Sequence, residues 1–541
     1  MDTGGGFSST KLENIRQAQH LRTFRTFGAR YGNFSPDLYN EIFHILSTLG
    51  SLRVLSLSYC AGAAKMLCST SKLKHLRYLD LSWSDLVTLP EEVRALLNLQ
   101  TLILEYCRQL ASLPDLGNLK YLRHLNLQAT IIERLPESLE RLINLRYLNI
   151  SRTSLKEMPP NIGQLTKLRT LTDFLVGRQS ETSIKELGKL HLRGALHIGN
   201  LQNVVDARDA GEANLKGKKH LDRLRFTWDG DTHDPQHVRS TLEKLEPNRN
   251  VKHLQIEGYG GVRFPEWVGE SSFSNIVSLK LIRCTNCTSL PPLGQLASLE
   301  YLSIKNSLSI SDCPDLESLC AHERPLNDLT SLHVLYIHGC PKLVSFPKGG
   351  LPAPVLTRLA LVKCSNLKQL PESMHSRLPS LKDLSIRDCL EVELCQEGGF
   401  PSTLQSLDIF NCNKLFAGRM QWGLQTLPSL SYFTIGGHEN VESFPEEMLL
   451  PSSLTSLKID SLKHLKSLDC KGLQHLTSLR ALTISNCPLL ESMPEEGLPS
   501  SLSTLAIYYC PMLGESCERE KGKDWPKISH IPHIVIRRPT Y

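Results

Sequence analysis

The chain has 541 residues, in which 61 Lys and Arg face 55 Asp and Glu, giving a formal net charge of +6. So small an excess of positive charge over this length excludes a general nucleic-acid-binding surface. Leucine supplies 97 residues although the mean hydropathy is only −0.19. Apolar residues are therefore set at intervals among polar ones, and every apolar run is far shorter than the roughly 18 residues of a membrane span.

The N-terminal segment carries no apolar stretch of the kind that a secretory signal needs. We therefore expect the chain to stay in the cytoplasm, or to reach the nucleus as well. Residues 1–50 are predicted to form a capping segment with one partial repeat from Leu21. The 16 cysteines are spaced about one per repeat along a long chain, which favours free thiols over a disulfide framework.

A regular repeat occupies residues 51–176. The segment LRVLSLSYC from Leu52 recurs from Leu76, Leu99, Leu122 and Leu145. Leucines separated by two residues and then by one predict a short strand whose alternate side chains point inward. In the second half of each unit, Pro, Glu and apolar residues at helical spacing predict a short helical or 3₁₀ segment on the outer side.

The repeat becomes degenerate or longer over 177–275, recovers over 276–513 and is followed by a tail at 514–541. An irregularity near 304–313 arises because the strand pattern restarts after only six residues. About twenty units predict an α/β solenoid, with a curved parallel sheet on its concave side and short helical, 3₁₀ or loop segments on its convex side. The later units begin at Leu168, Leu192, Leu221, Val251, Ile276, Leu299, Leu332, Leu356, Leu381, Leu404, Leu430, Leu454, Leu479 and Leu502.

A small residue, most often Cys, occupies the ninth position of each unit. A residue type that recurs once per turn of a solenoid is typical of packing, so we predict that these thiols are buried and have no redox or metal-binding role. The cysteines concerned are Cys60, Cys107, Cys284, Cys313, Cys340, Cys364, Cys389, Cys412, Cys487 and Cys510.

The chain from about residue 20 to the end resembles the leucine-rich-repeat region of plant nucleotide-binding leucine-rich-repeat immune receptors with a coiled-coil N-terminus. This resemblance implies a disease resistance role, in which the repeats bind a pathogen effector or an effector-modified host protein. It also implies that the repeats restrain a nucleotide-binding switch. The segments that carry the resemblance include Lys72–Val93, Asn144–Leu171, Lys189–Val204, Leu245–Gly269, Ser278–Ile304 and Cys517–Ile534.

The nucleotide-binding module of that family has no counterpart in this sequence. A phosphate-binding loop needs G-x-x-x-x-G-K followed by Ser or Thr, and neither Gly4–Gly6 nor Lys216–Lys219 has that form. The nucleotide switch cannot be transferred to this chain, and we expect no cofactor. A nucleotide-binding module on another chain is one protein partner that the resemblance implies.

Aromatic residues supply the first candidate partner-binding site. Tyr59, Trp83 and Tyr106 share the eighth position of three successive repeats, with Tyr78 and Tyr147 nearby. Large aromatic side chains held toward solvent on the concave face are typical binding anchors. Alternatively, these side chains stack on each other and close the edge of the strands.

Two further sets are candidates for the same concave face. The first is a basic cluster in the middle of the array, which would either meet an acidic partner surface or be a solvated face. The second is a thinner set of aromatics in the C-terminal half. The basic cluster is Arg223, Arg225, Trp228, Lys280 and Arg283, and the aromatic set is Phe410, Tyr432, Tyr508 and Tyr509.

Metal binding and catalysis find little support. Asp229, Asp231 and Asp234 resemble the start of a calcium loop, but Ser240 stands where the bidentate Glu is required. Cys284-x-x-Cys287 lacks a second pair, and the spacing of the cysteines before His530 and His533 does not fit a zinc finger. No nucleophile recurs with a His so as to define a triad. We expect neither a metal nor an enzymatic activity.

The sequence thus favours a recognition module of plant defence that binds protein and spans no membrane. A different class of function stays open. The chain could act alone as an adapter, a decoy or a regulator such as a ubiquitin-ligase substrate receptor, although no F-box-like N-terminal domain is visible. It could also be an inactive fragment of a receptor.

Overall fold

The computed structural model describes residues 20–25, 48–60, 62–67, 73–178, 182–230, 234–305, 315–319, 329–394 and 399–537. The irregularity predicted near 304–313 lies outside these residues beyond Lys305, as do Cys313 and most of the predicted capping segment. The chain divides into two compact units, Met1–Gln255 and Ile256–Tyr541.

The first unit begins with a seven-stranded parallel sheet in which strands follow one another in chain order. The central leucine of each strand lies opposite that of the next, so that Leu55, Leu79, Leu102, Leu125 and Leu148 form one buried row. The strands are β1 (Thr23–Arg25), β2 (Val54–Ser56), β3 (Tyr78–Asp80), β4 (Thr101–Ile103), β5 (His124–Asn126), β6 (Tyr147–Asn149) and β7 (Thr170–Leu171).

Three further strands of this unit pair in parallel: β8 (Asp173–Leu175), β9 (Arg193–Gly199) and β10 (His220–Thr227). The register between β9 and β10 shifts between Leu221 and Arg223. The division between the two units falls within β11 (His253–Glu257).

The second unit continues the same repeat with parallel strands. Of these, β19 and β21 are two-residue strands that pair only with each other. The strands are β12 (Ser278–Ile282), β13 (Tyr301–Lys305), β14 (Val334–His338), β15 (Arg358–Val362), β16 (Asp383–Arg387), β17 (Ser406–Phe410), β18 (Tyr432–Gly436), β19 (Ser443–Phe444), β20 (Ser456–Asp460), β21 (Ser467–Leu468), β22 (Ala481–Ser485), β23 (Thr504–Tyr508) and β24 (His533–Arg537).

A strand lies at each of the twenty predicted repeat starts, and the leucine-rich-repeat solenoid fold is confirmed. Leucines at the first, fourth and sixth repeat positions are buried, for example Leu52, Leu55 and Leu57. Burial of a leucine side chain contributes about 1.5–3 kcal/mol, so the buried leucines stabilise the repeats of each unit. The ninth-position cysteines in the described part of the chain are all buried free thiols, as predicted.

Short helical segments connect the strands, again as the sequence predicts. Pro90 and Pro136 adopt extended backbone just before two of the 3₁₀ helices. The 3₁₀ helices are Glu91–Ala95, Glu137–Arg141, Ile162–Gln164, Ile184–Lys189, Leu201–Asn203, Leu215–Gly217, Glu266–Gly269, Ser271–Phe273, Leu293–Gln295, Arg419–Gln421 and Leu424–Thr426. The α-helices are Ala63–Leu67, Ala207–Glu212, Pro235–Lys244, Met374–Arg377, Asn413–Ala417, Cys470–Gln474, Pro511–Ser516 and Trp525–Ile528.

Candidate functional site

Three aromatic side chains form a continuous stack beyond the carboxyl ends of β2, β3 and β4. The ring centroids of Tyr59 and Trp83 lie 5.5 Å apart at an interplanar angle of 12°. Those of Trp83 and Tyr106 lie 4.1 Å apart at 8°. The spacing follows from the backbone, because the N–H of each residue donates to a carbonyl of the next repeat, as from Trp83 to Glu105 at 2.9 Å. We call these three residues the aromatic stack.

The aromatic stack sits at a turn that does not itself need an aromatic residue. Tyr59, Trp83 and Tyr106 have φ of 60°, 60° and 57°, in the left-handed region that costs a bulky residue roughly 1–2 kcal/mol. Ala129 and Asn411 take the equivalent left-handed turn in other repeats. The turn therefore explains neither the choice of Tyr nor that of Trp, whereas stacking or a partner would.

Exposure distinguishes the middle ring of the aromatic stack from its neighbours. Trp83 is 40% exposed, and the guanidinium carbon of Arg108 lies 6.0 Å from its ring centroid. Tyr59 and Tyr106 are half-buried. The stacking alternative thus describes the geometry. Tyr59 and Tyr106 cover the two faces of the Trp83 ring, so its exposed part is the ring edge, and partner binding by the aromatic stack stays a prediction.

Tyr78 and Tyr147 lie on the outward face of the sheet and are separate from the aromatic stack. The Tyr147 ring packs on His124 with centroids 3.9 Å apart, and burial lowers the pKa of His124. Burial, followed by the charge of Asp80, raises the pKa of Tyr78. Both tyrosines are half-buried, so they would add contact area beside a partner but present less surface than Trp83.

Hydrogen bonds within and between repeats hold the polar side chains of this face, and no sequence motif indicates them. Ser56 and Ser82 donate from Oγ to the two carboxylate oxygens of Asp80 at 3.0 and 2.7 Å. Asn126 donates to Glu105 at 2.7 Å. These bonds hold the polar side chains beside the aromatic stack in place, so a partner would bind a preorganised surface.

A second polar arrangement crosses β8, β9 and the end of β10. Nδ1 of His197 lies 2.8 Å from Oδ1 of Asp173, and Nε2 lies 2.9 Å from Oγ1 of Thr227. The order carboxylate, imidazole, hydroxyl is that of a catalytic triad, although sequence reasoning found none. Thr227 is only 2% exposed, however, so a substrate cannot reach its hydroxyl. The arrangement ties three strands together.

The predicted basic cluster requires a correction. Arg223 and Arg225 on β10 are exposed, but Trp228 is 2% exposed and belongs to the core. Leu224 and Phe226 are buried on the same strand, and Trp228 follows them at the same two-residue interval, so its side chain also points inward. Trp228 is therefore not part of a partner-binding face.

In the second unit, the other two members of the basic cluster contact neighbouring side chains. The ammonium of Lys280 lies 5.6 Å from the centroid of the Tyr301 ring. A guanidinium nitrogen of Arg283 lies 2.8 Å from the carboxylate of Glu257, which compensates part of its charge. The positive charge available to a partner is therefore reduced at Arg283.

The C-terminal aromatic set does not form one patch. Tyr432 and Tyr509 are 58% and 51% exposed, whereas Phe410 and Tyr508 are half-buried beneath arginines. The guanidinium carbons of Arg387 and Arg537 lie 5.6 and 5.9 Å from those two rings. This set offers single exposed rings rather than a stack.

Buried thiols line the interior without forming a metal site. Burial raises the pKa of Cys107 and raises that of Cys517 to about 12. The Cys107 thiol donates to the carbonyl oxygen of Leu81 at 3.1 Å. In the described ranges no group of three or more His, Cys, Asp or Glu side chains is placed to hold a metal ion. Asp231 of the predicted calcium-like loop lies outside those ranges.

Comparison with known proteins places these features in a family context. A family model described as R13L1/DRL21 LRRs matches residues 184–307. Disease resistance RPP13-like protein 1 from Arabidopsis thaliana is 35% identical over 536 residues, which cover 90% of this chain and 45% of the relative. Disease resistance protein RGA2 from Solanum bulbocastanum is 33% identical over 382 residues, covering 68% of this chain and 36% of the relative.

The chain spans less than half the length of these relatives. None of the helices in the described ranges is long and apolar enough to cross a membrane.

Proposed function

We propose that this chain, which is a leucine-rich-repeat region of the kind found in plant disease resistance proteins, is a protein-recognition module of plant innate immunity. Its partner would be a pathogen effector or a host protein that an effector has modified. The observation that carries this proposal is the aromatic stack, whose central Trp83 is 40% exposed beside a polar face fixed by hydrogen bonds. Rigid aromatic side chains next to ordered polar groups are typical of binding hot spots.

A nucleotide-binding module on another chain is the second protein partner that we propose, with the repeats restraining its switch in the cytoplasm. The family resemblance supports this, since the relatives extend well beyond the region matched here. No residue of this chain is assigned to nucleotide chemistry. The function we propose is non-enzymatic.

The test compares two variants of the full chain. Y59A/W83A/Y106A removes the aromatic stack, and Y121A/M420A removes two exposed apolar side chains outside every candidate site as a control. Affinities for a panel of purified pathogen effectors and receptor nucleotide-binding modules are measured by biolayer interferometry. We expect any panel protein that binds the unaltered chain to bind Y59A/W83A/Y106A at least tenfold more weakly. The control variant should weaken its binding less than twofold.

Two results would count against the proposal. Unchanged affinity in Y59A/W83A/Y106A would show that the partner docks elsewhere. A collapse of the thermal unfolding transition in that variant would show that the three rings are core residues, because stacking contributes only about 0.5–1.5 kcal/mol per pair.

A further inference from the structure

A row of arginines runs along one edge of the outward face of the first unit, at the second position of successive repeats. The N–H of each residue in this row donates to the carbonyl of the residue before it, as from Arg77 to Arg53 and from Arg146 to Arg123, both at 2.8 Å. With strands about 4.8 Å apart, the row extends for about 30 Å. We call it the arginine row. It comprises Arg53, Arg77, Arg123, Arg146, Arg169 and Arg193, with Gln100 between the second and third members, and Arg22 precedes it at the same position of the partial repeat.

The fold does not require arginine at this position. In the second unit the same hydrogen-bonded position is held by Val277, Thr357 and Ser431, among others. The backbone N–H and carbonyl make the ladder bonds, and the side chain points away from the core. The run of arginines is therefore not a packing feature.

No carboxylate in the described part of the chain neutralises the guanidinium groups of the arginine row. Across the described residues, none of the six forms an ion pair, and the recorded side-chain hydrogen bond is that of Arg169 to the carbonyl of Thr166 at 3.4 Å. Ion pairs of this unit use other cations, such as Lys156 with Glu133. Five members are exposed, and Arg169 is half-buried. Like charges on neighbouring strands repel, so an anionic partner would relieve that repulsion.

We propose that the arginine row binds an acidic segment of a partner protein. A planar guanidinium matches the two oxygens of a carboxylate, and an extended chain of about ten residues has the length of the row. A formal net charge of only +6 over 541 residues does not favour a general nucleic-acid-binding surface, so a polypeptide is the partner that we choose. A compact polyphosphate would contact only two or three of the six arginines. The arginine row is distinct from the aromatic stack, and its binding of an acidic peptide can be tested without a known effector.

The experiment uses the full chain and a fluorescent deca-glutamate peptide as probe, with anisotropy recorded at 50 and 150 mM NaCl. R77E/R123E/R146E reverses three charges of the row, and K348E/K368E/K463E changes the net charge equally at exposed lysines of the second unit. We expect the row variant to weaken binding at least tenfold at 50 mM NaCl and the control variant to weaken it less than twofold. Affinity of the unaltered protein should fall at the higher salt.

R77Q/R123Q/R146Q is a second variant, in case the charge-reversed one fails to fold. Its neutral side chains remove the repulsion between arginines, so its thermal unfolding midpoint at low salt should be unchanged or higher. This variant should also lose binding. Equal losses in the row and control variants, or no loss in either, would overturn the site. Tighter binding of a ten-nucleotide oligouridine or of inositol hexakisphosphate through the same arginines would overturn the assignment of a polypeptide. A loss of deca-glutamate binding in Y59A/W83A/Y106A as large as that of the row variant would also overturn the arginine row as a separate site.

Discussion

The ammonium group of Lys218 donates a hydrogen bond to the carbonyl oxygen of Leu187 at 2.7 Å, and a second one to that of Leu190 at 2.6 Å. Both carbonyls lie at the end of the 3₁₀ helix Ile184–Lys189 in the preceding repeat, and that of Leu187 also accepts the N–H of Leu190 at 3.0 Å. Lys218 is 6% exposed, and burial lowers its pKa to about 8. Lys218, which precedes β10, thus donates hydrogen bonds to two carbonyl oxygens of the preceding repeat.

The first prediction follows from those two bonds. Lys218→Met should lower the free energy of unfolding at pH 7 by about 1–3 kcal/mol, because the carbonyl oxygens of Leu187 and Leu190 each lose a buried hydrogen bond. Urea unfolding monitored by circular dichroism measures the change. Lys219→Met is the matched control, since Lys219 is exposed and should shift the value by less than about 0.5 kcal/mol. Equal effects of the two substitutions would show that Lys218 is not buried in this way.

The second prediction concerns pH. The pKa of Lys218 is about 8 in the folded chain and near 10.5 when unfolded, so the unfolded chain binds more protons between these values. Stability contributed by Lys218 therefore rises with pH across this window, by at most about 1.4 kcal/mol per pH unit. Unfolding free energies of the unaltered protein minus those of Lys218→Met should increase from pH 8 to pH 10.5. A difference that is flat or falls over that range would contradict the prediction.

The third prediction tests the left-handed turn after each strand. Ala129 has φ of 57°, a conformation that glycine adopts without the steric cost of a Cβ. Ala129→Gly should raise the free energy of unfolding by about 0.5–1 kcal/mol. Ala195→Gly, at an exposed position within β9, should lower it by a similar amount, because glycine in a strand loses more conformational entropy. If both substitutions destabilise the chain, the turn is not under strain.

The fourth prediction concerns thiol reactivity. Cys470 is partly exposed, while Cys364, Cys389 and Cys412 are buried on neighbouring repeats. Labelling with a maleimide at pH 8, read out per peptide by mass spectrometry, should modify Cys470 in the native state and the other three only after denaturation. Native labelling of Cys470 should be slower than that of a free thiol, because burial and then Glu496 raise its pKa to about 11. Native labelling of Cys389 at the rate of Cys470 would show that the interior of the repeats opens.

Much of the fold is predictable from sequence because every repeat buries the same small set of positions. The spacing of Leu52, Leu55 and Leu57 defines both a strand and its inward face, and the small residue at Cys60 must fit beneath the turn. These positions lie close together in the sequence, so the spacing of residue types identifies them. Trp228 also follows Leu224 and Phe226 at two-residue intervals, and this alternation predicts a buried side chain. Its assignment to the basic cluster with Arg223 and Arg225 rested on charge and size alone.

Other features depend on contacts between repeats and have no local signature. Lys218 lies within a basic tetrapeptide that resembles a solvated loop, and its partners lie 28 and 31 residues earlier. The contact of His197 with Asp173 and Thr227 likewise joins residues 24 and 30 positions apart. Only the register of neighbouring strands, including the shift between β9 and β10, brings such groups together.

The fifth prediction separates the exposed tryptophan from the buried one. Trp83 is 40% exposed, whereas Trp228, Trp267 and Trp422 are 2%, 5% and 2% exposed and Trp525 is half-buried. Acrylamide quenches mainly solvent-accessible indoles, so Trp83→Phe should reduce the Stern–Volmer constant of the native protein. Trp228→Phe removes a shielded indole and should leave that constant unchanged or raise it. The same substitution should lower the thermal midpoint, because a smaller ring leaves a gap in a packed core. Reduced quenching in Trp228→Phe with an unaltered midpoint would place Trp228 on the surface, where the sequence first suggested it.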